Sequence, residues 1–275
     1  MDLGHENNGT GVKVSPGNRD IMKVKEINSR QNRDFQAFLK ILKGQGVKKQ
    51  GLAFFSGLKQ VREILTEFPE HCEGLIFSAK HEMPEGIPTR NLQTYSLSAE
   101  LFKEVDAFGT NHPVLIVRVP LFPSWDAGAS IKGCTLLIPF QDPSNVGAVI
   151  RSAAAFGVTK LVMLKEAAHP FHYKSTRAGG SALFRVLIVY GPSIQELGGA
   201  KSPIITLSAG GEDIRNYAFP ERFCLLPGME GPGLPVELRH LRSLSIPMER
   251  GVESLNASLA TGIALYAWRC SIKKG

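Results

Sequence analysis

The chain is poor in cysteine, and the cysteines it has are far apart. Cys72, Cys134, Cys224 and Cys270 are scattered through 275 residues, with no C-x-x-C pair among them. That spacing argues against a disulfide framework and a zinc site, and fits reduced thiols in the cytosol. No metal is expected. No run of eighteen apolar residues occurs, so no transmembrane helix and no membrane partner are expected. Met1-Asp2-Leu3-Gly4-His5-Glu6 lacks both a basic start and an apolar run, so a secretory signal is not expected and the expected location is cytoplasmic. Charged residues make up only 21% of the chain against 43% apolar, which excludes a wholly disordered polymer. Also missing is any G-x-G-x-x-G after an early strand with an acid about twenty residues on, which sets aside a nucleotide-dependent dehydrogenase.

What is present is basic. Lys and Arg total 32 against 25 Asp and Glu, a net charge of +7. Residues 1–130 hold 16 basic and 15 acidic residues, and residues 131–275 hold 16 and 10. Within 19–49 there are nine basic residues and three acidic ones. A basic stripe and a basic second half suit a polyanionic partner, although solvated surface Lys and Arg account equally well for the charge alone.

Residues 1–20, polar and rich in Gly and Asn, read as a flexible tail. From Ile21 the pattern becomes periodic. Phe35, Phe38, Leu39 and Leu42 fall at helical spacing, and Gly44 and Gly46 stop that helix. Strands are expected at Leu52–Phe55, Gly74–Phe77 and Val114–Val117, and helices at Gly57–Phe68 and Ser98–Phe108. This alternation predicts an α/β domain over 21–120. Residues 121–130, with Pro, Gly and small side chains, read as a linker. A second α/β series over 131–275 has strands expected at 135–138, 160–164, 186–189, 204–207, 223–226 and 244–246. Its expected helices span 146–156, 236–241 and 254–268. Continuous apolar strands of this kind fit a parallel sheet covered on both faces.

Three loops in this second half concentrate the unusual residues. In Asp142-Pro143-Ser144-Asn145-Val146-Gly147-Ala148-Val149-Ile150-Arg151, either Asp142 or Asn145 can cap a helix. Arg151 stands alone among aliphatic neighbours, where it either pairs with a carboxylate or faces a site. Pro227-Gly228-Met229-Glu230-Gly231-Pro232-Gly233-Leu234-Pro235 permits close backbone approach, yet it lacks the Lys of a phosphate loop and carries an acid instead. Ile246-Pro247-Met248 leads through Glu253-Ser254-Leu255-Asn256-Ala257-Ser258 into a helix that Ser254 can cap. Leu255, Leu259 and Ile263 follow on one face.

Together, in order and spacing, these loops resemble the three motifs of the SpoU/TrmH branch of the SPOUT methyltransferases. The resemblance covers about 131–269. The stretch 21–120, with Phe54-Phe55-Ser56-Gly57, more weakly resembles that family's N-terminal RNA-binding domain. The resemblance implies a trefoil-knotted catalytic domain with a mostly parallel sheet, working as a homodimer. It implies transfer of a methyl group from S-adenosylmethionine to a ribose 2′-hydroxyl of structured RNA. Ribosomal RNA is favoured over tRNA on charge and resemblance, and a catalytically silent RNA-binding member is the alternative. Three departures stand out. Ser152 replaces the usual Thr, Met229 replaces Asn, Ser or Ala, and Arg177-Ala178-Gly179-Gly180-Ser181 only partly follows the Arg-Ala-Ser-x-Gly segment.

The resemblance assigns the cofactor to Leu207, Gly228, Ile246 and Leu255. It assigns catalysis to Arg151, with Asn145, Glu230, Ser254 and Asn256 orienting the arginine, the loops and the ribose. For Asn145 and Glu230 a loop-stabilising role is equally open. Arg151 matches the family's catalytic arginine. It acts either as the base or, since guanidinium stays protonated, as a grip on phosphate and a stabiliser of alkoxide.

Overall fold

The computed structural model describes residues 10–13, 22–89, 92–129, 131–199, 201–229 and 234–272. The chain divides into two compact units, 1–120 with 171–177, and 121–170 with 178–275.

The first unit contains β1 (Thr10–Lys13), β2 (Met22–Ile27), α1 (Arg33–Leu42), α2 (Gln45–Gln50), β3 (Leu52–Ser56) and α3 (Leu58–Glu67), then β4 (Cys72–Ser78), β5 (Gln93–Leu97), α4 (Ala99–Val105) and β6 (Val114–Arg118). Its sheet runs β1-β2-β5-β4-β6-β3 and is mixed. β2, β5 and β4 are parallel, and the remaining pairs are antiparallel. Thr10–Lys13, expected in a flexible tail, instead pairs with β2. α1 begins where the Asn32 side chain accepts from Asp34 N and Phe35 N, and it buries Phe35, Phe38 and Ile41. Phe38 meets Phe54 and Tyr95 edge-on at 6.1 and 5.1 Å, which fixes α1 on the sheet. Gly44, at φ +74°, turns the chain, but Gly46 does not stop it, because α2 follows at once.

The segment Phe171–Arg177 groups with this unit, so the expected domain over 131–275 is interrupted. The physical reason is burial. Phe171 and Phe55 are both fully buried with ring centroids 6.1 Å apart, and Thr176 Oγ1 donates to the Phe54 carbonyl at 2.6 Å.

The second unit holds β7 (Gly133–Ile138), α5 (Pro143–Ala155) and β8 (Lys160–Met163). α6 (Tyr173–Gly179) starts within the inserted segment. β9 (Leu187–Tyr190), β10 (Ile204–Asp213), β11 (Arg222–Leu226), β12 (Ser243–Ser245) and α7 (Ala257–Ile272) complete the chain. All six strands are parallel, in the order β12-β10-β11-β7-β8-β9. Leu136, Leu137, Ile138, Leu161, Val162 and Leu225 are buried, as strands covered on both faces require. Each such side chain contributes about 1.5–3 kcal/mol on leaving water. α5 buries Val146, Val149, Ile150 and Ala153, and α7 buries Thr261, Ala264, Leu265 and Trp268. Trp268 meets Phe223 edge-on at 6.0 Å.

Three expectations change here. The linker expected at 121–130 pairs instead with the outer strand β9, where Tyr190 N donates to Pro123 O at 2.9 Å and Trp125 N to Tyr190 O at 2.7 Å. These bonds satisfy backbone groups that an edge strand would leave open. The helix expected over 236–241 is a single 3₁₀ turn, Val236–Leu238. On α7 the buried face is not that of Leu255, Leu259 and Ile263, since Leu259 is 54% exposed.

Candidate active site

In parallel α/β sheets, ligands bind beyond the carboxyl ends of the strands. A pocket of about 190 Å³ lies there, at the ends of β10, β11 and β12 and against the first turn of α7. Leu207, Gly228, Ile246 and Leu255 all line it, although 48 residues separate the first from the last. Ser254, Met229 and Glu253 join them. Most of the wall is aliphatic or thioether, which suits a flat apolar ring, while Glu253 adds an acid that suits a cation.

The wall owes part of its shape to an irregular strand. β10 pairs with β12 at Leu207↔Leu244, then slips so that Glu212 also pairs with Leu244. The extra residues between bow outward and place Ser208 and Ala209 on the pocket. Gly211 makes the slip possible, because a Cβ there would lie 2.6 Å from the β12 backbone. Ser245 Oγ pins the bulge by donating to Gly211 O at 2.9 Å.

Asn256, rather than Ser254, caps α7. Its Oδ1 accepts from Ser258 N at 3.0 Å and Leu259 N at 3.2 Å, leaving Ser254 in the pocket wall. Its Nδ2 donates to Asn145 Oδ1 at 3.0 Å, and Ser258 Oγ reaches the same oxygen at 3.1 Å. Asp142 caps α5, accepting from Ser144 N at 2.7 Å, so Asn145 is left for this cross-link. The starts of α5 and α7 are thereby joined through three polar side chains.

Arg151 lies on α5, six residues beyond Asn145. It is exposed and does not line the pocket. Glu230, with Gly231 and Gly233, falls outside the described residues. The sequence reading missed Ala257 and Ala260, which line the pocket, and placed Ser258 near the start of the helix without seeing its bond to Asn145. Two alanines at i and i+3 on the first turn of an apolar helix were the available signal, since small side chains leave a helix end open to a ligand.

A larger hollow of about 520 Å³, lined by Lys201, Glu221 and Arg222 among others, lies at the opposite, amino ends of β7, β10 and β11. Sheets of this type do not place their chemistry there. Among the described residues no group of three or more His, Cys, Asp or Glu could hold a metal, and no helix is long and apolar enough to cross a membrane.

Comparison with known proteins adds an independent line. The model of the SpoU rRNA Methylase family matches residues 134–266. A Syntrophobacter fumaroxidans protein named Ribosomal RNA small subunit methyltransferase G 2 is 46% identical over 247 residues, 89% of this chain but 49% of that one. The chain thus spans about half the length of that relative. The 23S rRNA (guanosine-2′-O-)-methyltransferase RlmB of Xylella fastidiosa is 30% identical over 226 residues, covering 76% of this chain and 88% of that protein. An AdoMet-bound rRNA methyltransferase from Sinorhizobium meliloti shares the fold, with a TM-score of 0.72 at 22% identity over 90% of this chain and 98% of the other.

Proposed function

The chain belongs to the SpoU family of RNA methyltransferases, and from that membership and the pocket's composition we propose that it methylates a ribose 2′-hydroxyl of ribosomal RNA. One observation carries the reading. Leu207, Gly228, Ile246 and Leu255 share a pocket with Ser254 at the strand ends, beside the Asn145–Asn256–Ser258 cross-link. The whole-length name of the Syntrophobacter relative does not enter, because half of that protein has no counterpart here.

S-adenosylmethionine, when bound, supplies an electrophilic methyl on a cationic sulfonium. The pocket fits such a group. Leu207, Leu244, Ile246 and Leu255 offer apolar walls to its adenine, and Glu253 offers an opposite charge. Gly228 lets the main chain come close. Asn145, Asn256 and Ser258 hold the starts of α5 and α7 in fixed register, so that the ribose oxygen meets its target in line. Arg151 grips RNA phosphate through its planar guanidinium and lowers the cost of the developing alkoxide. Glu230, next to Met229 in the chain, orients the loop. Residues 21–120 bind the RNA, and the location is cytoplasmic.

The reading includes a knotted C-terminal domain and a homodimer. Leu259 and Tyr266 on α7 are 54% and 59% exposed, apolar surface that a second copy would cover.

The test is methyl transfer from S-adenosylmethionine to ribosomal RNA taken from cells lacking the protein, followed by alkaline hydrolysis. A 2′-O-methyl blocks attack on the next phosphodiester, so one new alkali-resistant dinucleotide is expected. Methylation that leaves every linkage alkali-labile would move the chemistry from ribose to base. Transfer to tRNA but not ribosomal RNA would correct the substrate.

A further inference from the structure

The segment Phe171–Arg177 is inserted between strands of the second unit, yet it packs with the first. Its sequence, Phe-His-Tyr-Lys-Ser-Thr-Arg, divides into an inward and an outward set. Phe171, Ser175 and Thr176 are buried, each at 1% exposure or less. Thr176 Oγ1 reaches both the Phe54 and Tyr173 carbonyls, and Arg177 Nη1 donates to Ser56 O at 3.3 Å. The anchored face therefore fixes His172, Tyr173, Lys174 and Arg177 on the outside.

His172, Tyr173 and Arg177 form a continuous strip with Phe108, and Lys174 is exposed next to Tyr173 in the chain. The His172 and Tyr173 rings are 4.6 Å apart and 39° from parallel. Tyr173 and Phe108 follow at 5.7 Å and 44°, and Arg177 Cζ lies 5.3 Å from the Phe108 centroid. Phe108 is 38% exposed, and both Lys174 and Arg177 are exposed. No acid occurs in sequence between Ala167 and Gln195, which includes Lys174, Arg177 and Arg185. The acid closest in sequence to Phe108, Asp106, is buried, with its carboxylate held by Thr110 Oγ1 and Asn111 N.

We propose that this strip is a stacking site for an unpaired RNA base, with Lys174 and Arg177 taking the flanking phosphates. Rings and a planar guanidinium in one row offer π-faces to a base, while the local positive charge matches a phosphate backbone. A paired base is already stacked within its helix and has no face to offer, so the strip selects single-stranded segments such as loops and bulges. The proposal rests on the methyltransferase reading only for the identity of the polymer, and it adds a recognition element outside the catalytic pocket.

The experiment uses the full chain and two fluorescent probes, a short oligouridylate and a blunt RNA duplex of equal length. Phe108→Leu keeps apolar volume but removes the ring. Arg177→Lys keeps charge but removes the planar fork. Each is expected to weaken binding to the single strand about tenfold, within the range for loss of one base-stacking contact, and to change duplex binding less than about twofold. Equal losses on both probes would reduce the strip to an electrostatic surface and overturn the proposal. Unchanged binding to both would also overturn it, and is the result expected of a protein-docking face. S-adenosylmethionine calorimetry and methyl transfer by the parent protein are measured alongside. Normal methylation with insensitive variants sinks the strip alone, whereas absent cofactor binding sinks the methyltransferase reading.

Discussion

Asn256 Nδ2 donates to Asn145 Oδ1 at 3.0 Å and, with Ser258 Oγ on the same oxygen, joins the first turns of two helices that start 114 residues apart. The same Asn256 caps α7 through its Oδ1. Asn256→Asp separates the two functions, because a carboxylate still accepts from Ser258 N and Leu259 N but cannot donate to Asn145. Its melting temperature is expected to stay close to the parent's, since the cap survives. Asn256→Ala loses the cap as well, at about 1 kcal/mol. Methyl transfer is expected to fall in both variants. Thermal melts beside turnover check this, and an Asn256→Asp enzyme with parental turnover would detach the cross-link from catalysis.

Arg151 is exposed and does not line the pocket, so cofactor binding and turnover are expected to separate between the two. Ala260, on the pocket wall, leaves room that a larger side chain would take. Ala260→Phe is expected to weaken S-adenosylmethionine binding by tenfold or more in calorimetry. Arg151→Ala, at an exposed position, is expected to keep cofactor affinity and to change stability by no more than about 0.5 kcal/mol. It is expected to abolish methyl transfer. Parental turnover in Arg151→Ala removes the arginine from the mechanism.

Much of this arrangement was legible in the residues. The apolar runs of β7, β8 and β11 announced a two-sided parallel sheet, and the second and third loops carried most of the pocket residues in order. β5 escaped notice because its inward residues are polar. Thr94 and Ser96 are buried at 1% and 2%, so apolar periodicity gave no signal. The helix at 236–241 was over-read, since Pro235 opens only one 3₁₀ turn there. Ser254 looked like the cap, but Asn256 is the residue whose side chain reaches the second and third amides of α7. The departure of Phe171–Arg177 to the other unit depends on a long-range pairing of Phe171 with Phe55, which no local pattern encodes.

The buried thiols predict how stability depends on alkaline pH. Burial pushes the Cys224 thiol from its usual 9.0 up to about 11, with Lys160 pulling weakly the other way. Burial and the neighbouring Cys224 push Cys134 up as well. A folded-state pKa above the unfolded one means the native state holds its proton longer. The resulting stabilisation is complete below about pH 9 and is lost as pH rises towards about 11. Melting temperatures measured at constant ionic strength are expected to fall across that window. Cys224→Ala, though less stable at neutral pH, is expected to show a shallower fall. An equally steep decline in the variant would assign the alkaline loss to other groups.

Tyr266 offers the sharpest test of assembly. It stands 59% exposed on α7, its ring 5.9 Å from Phe156 on the edge of α5, with Leu259 two turns away on the same helix. An exposed position tolerates substitution within about 0.5 kcal/mol in the isolated fold. A charge placed there would be desolvated if a second copy covered the face, and an unpaired buried charge is costly. Tyr266→Glu is therefore expected to halve the sedimenting mass while leaving the thermal transition of the single chain nearly unchanged. A parent protein that already sediments as one chain at micromolar concentration would remove the homodimer from the reading. A dimer untouched by Tyr266→Glu would move its interface to another face.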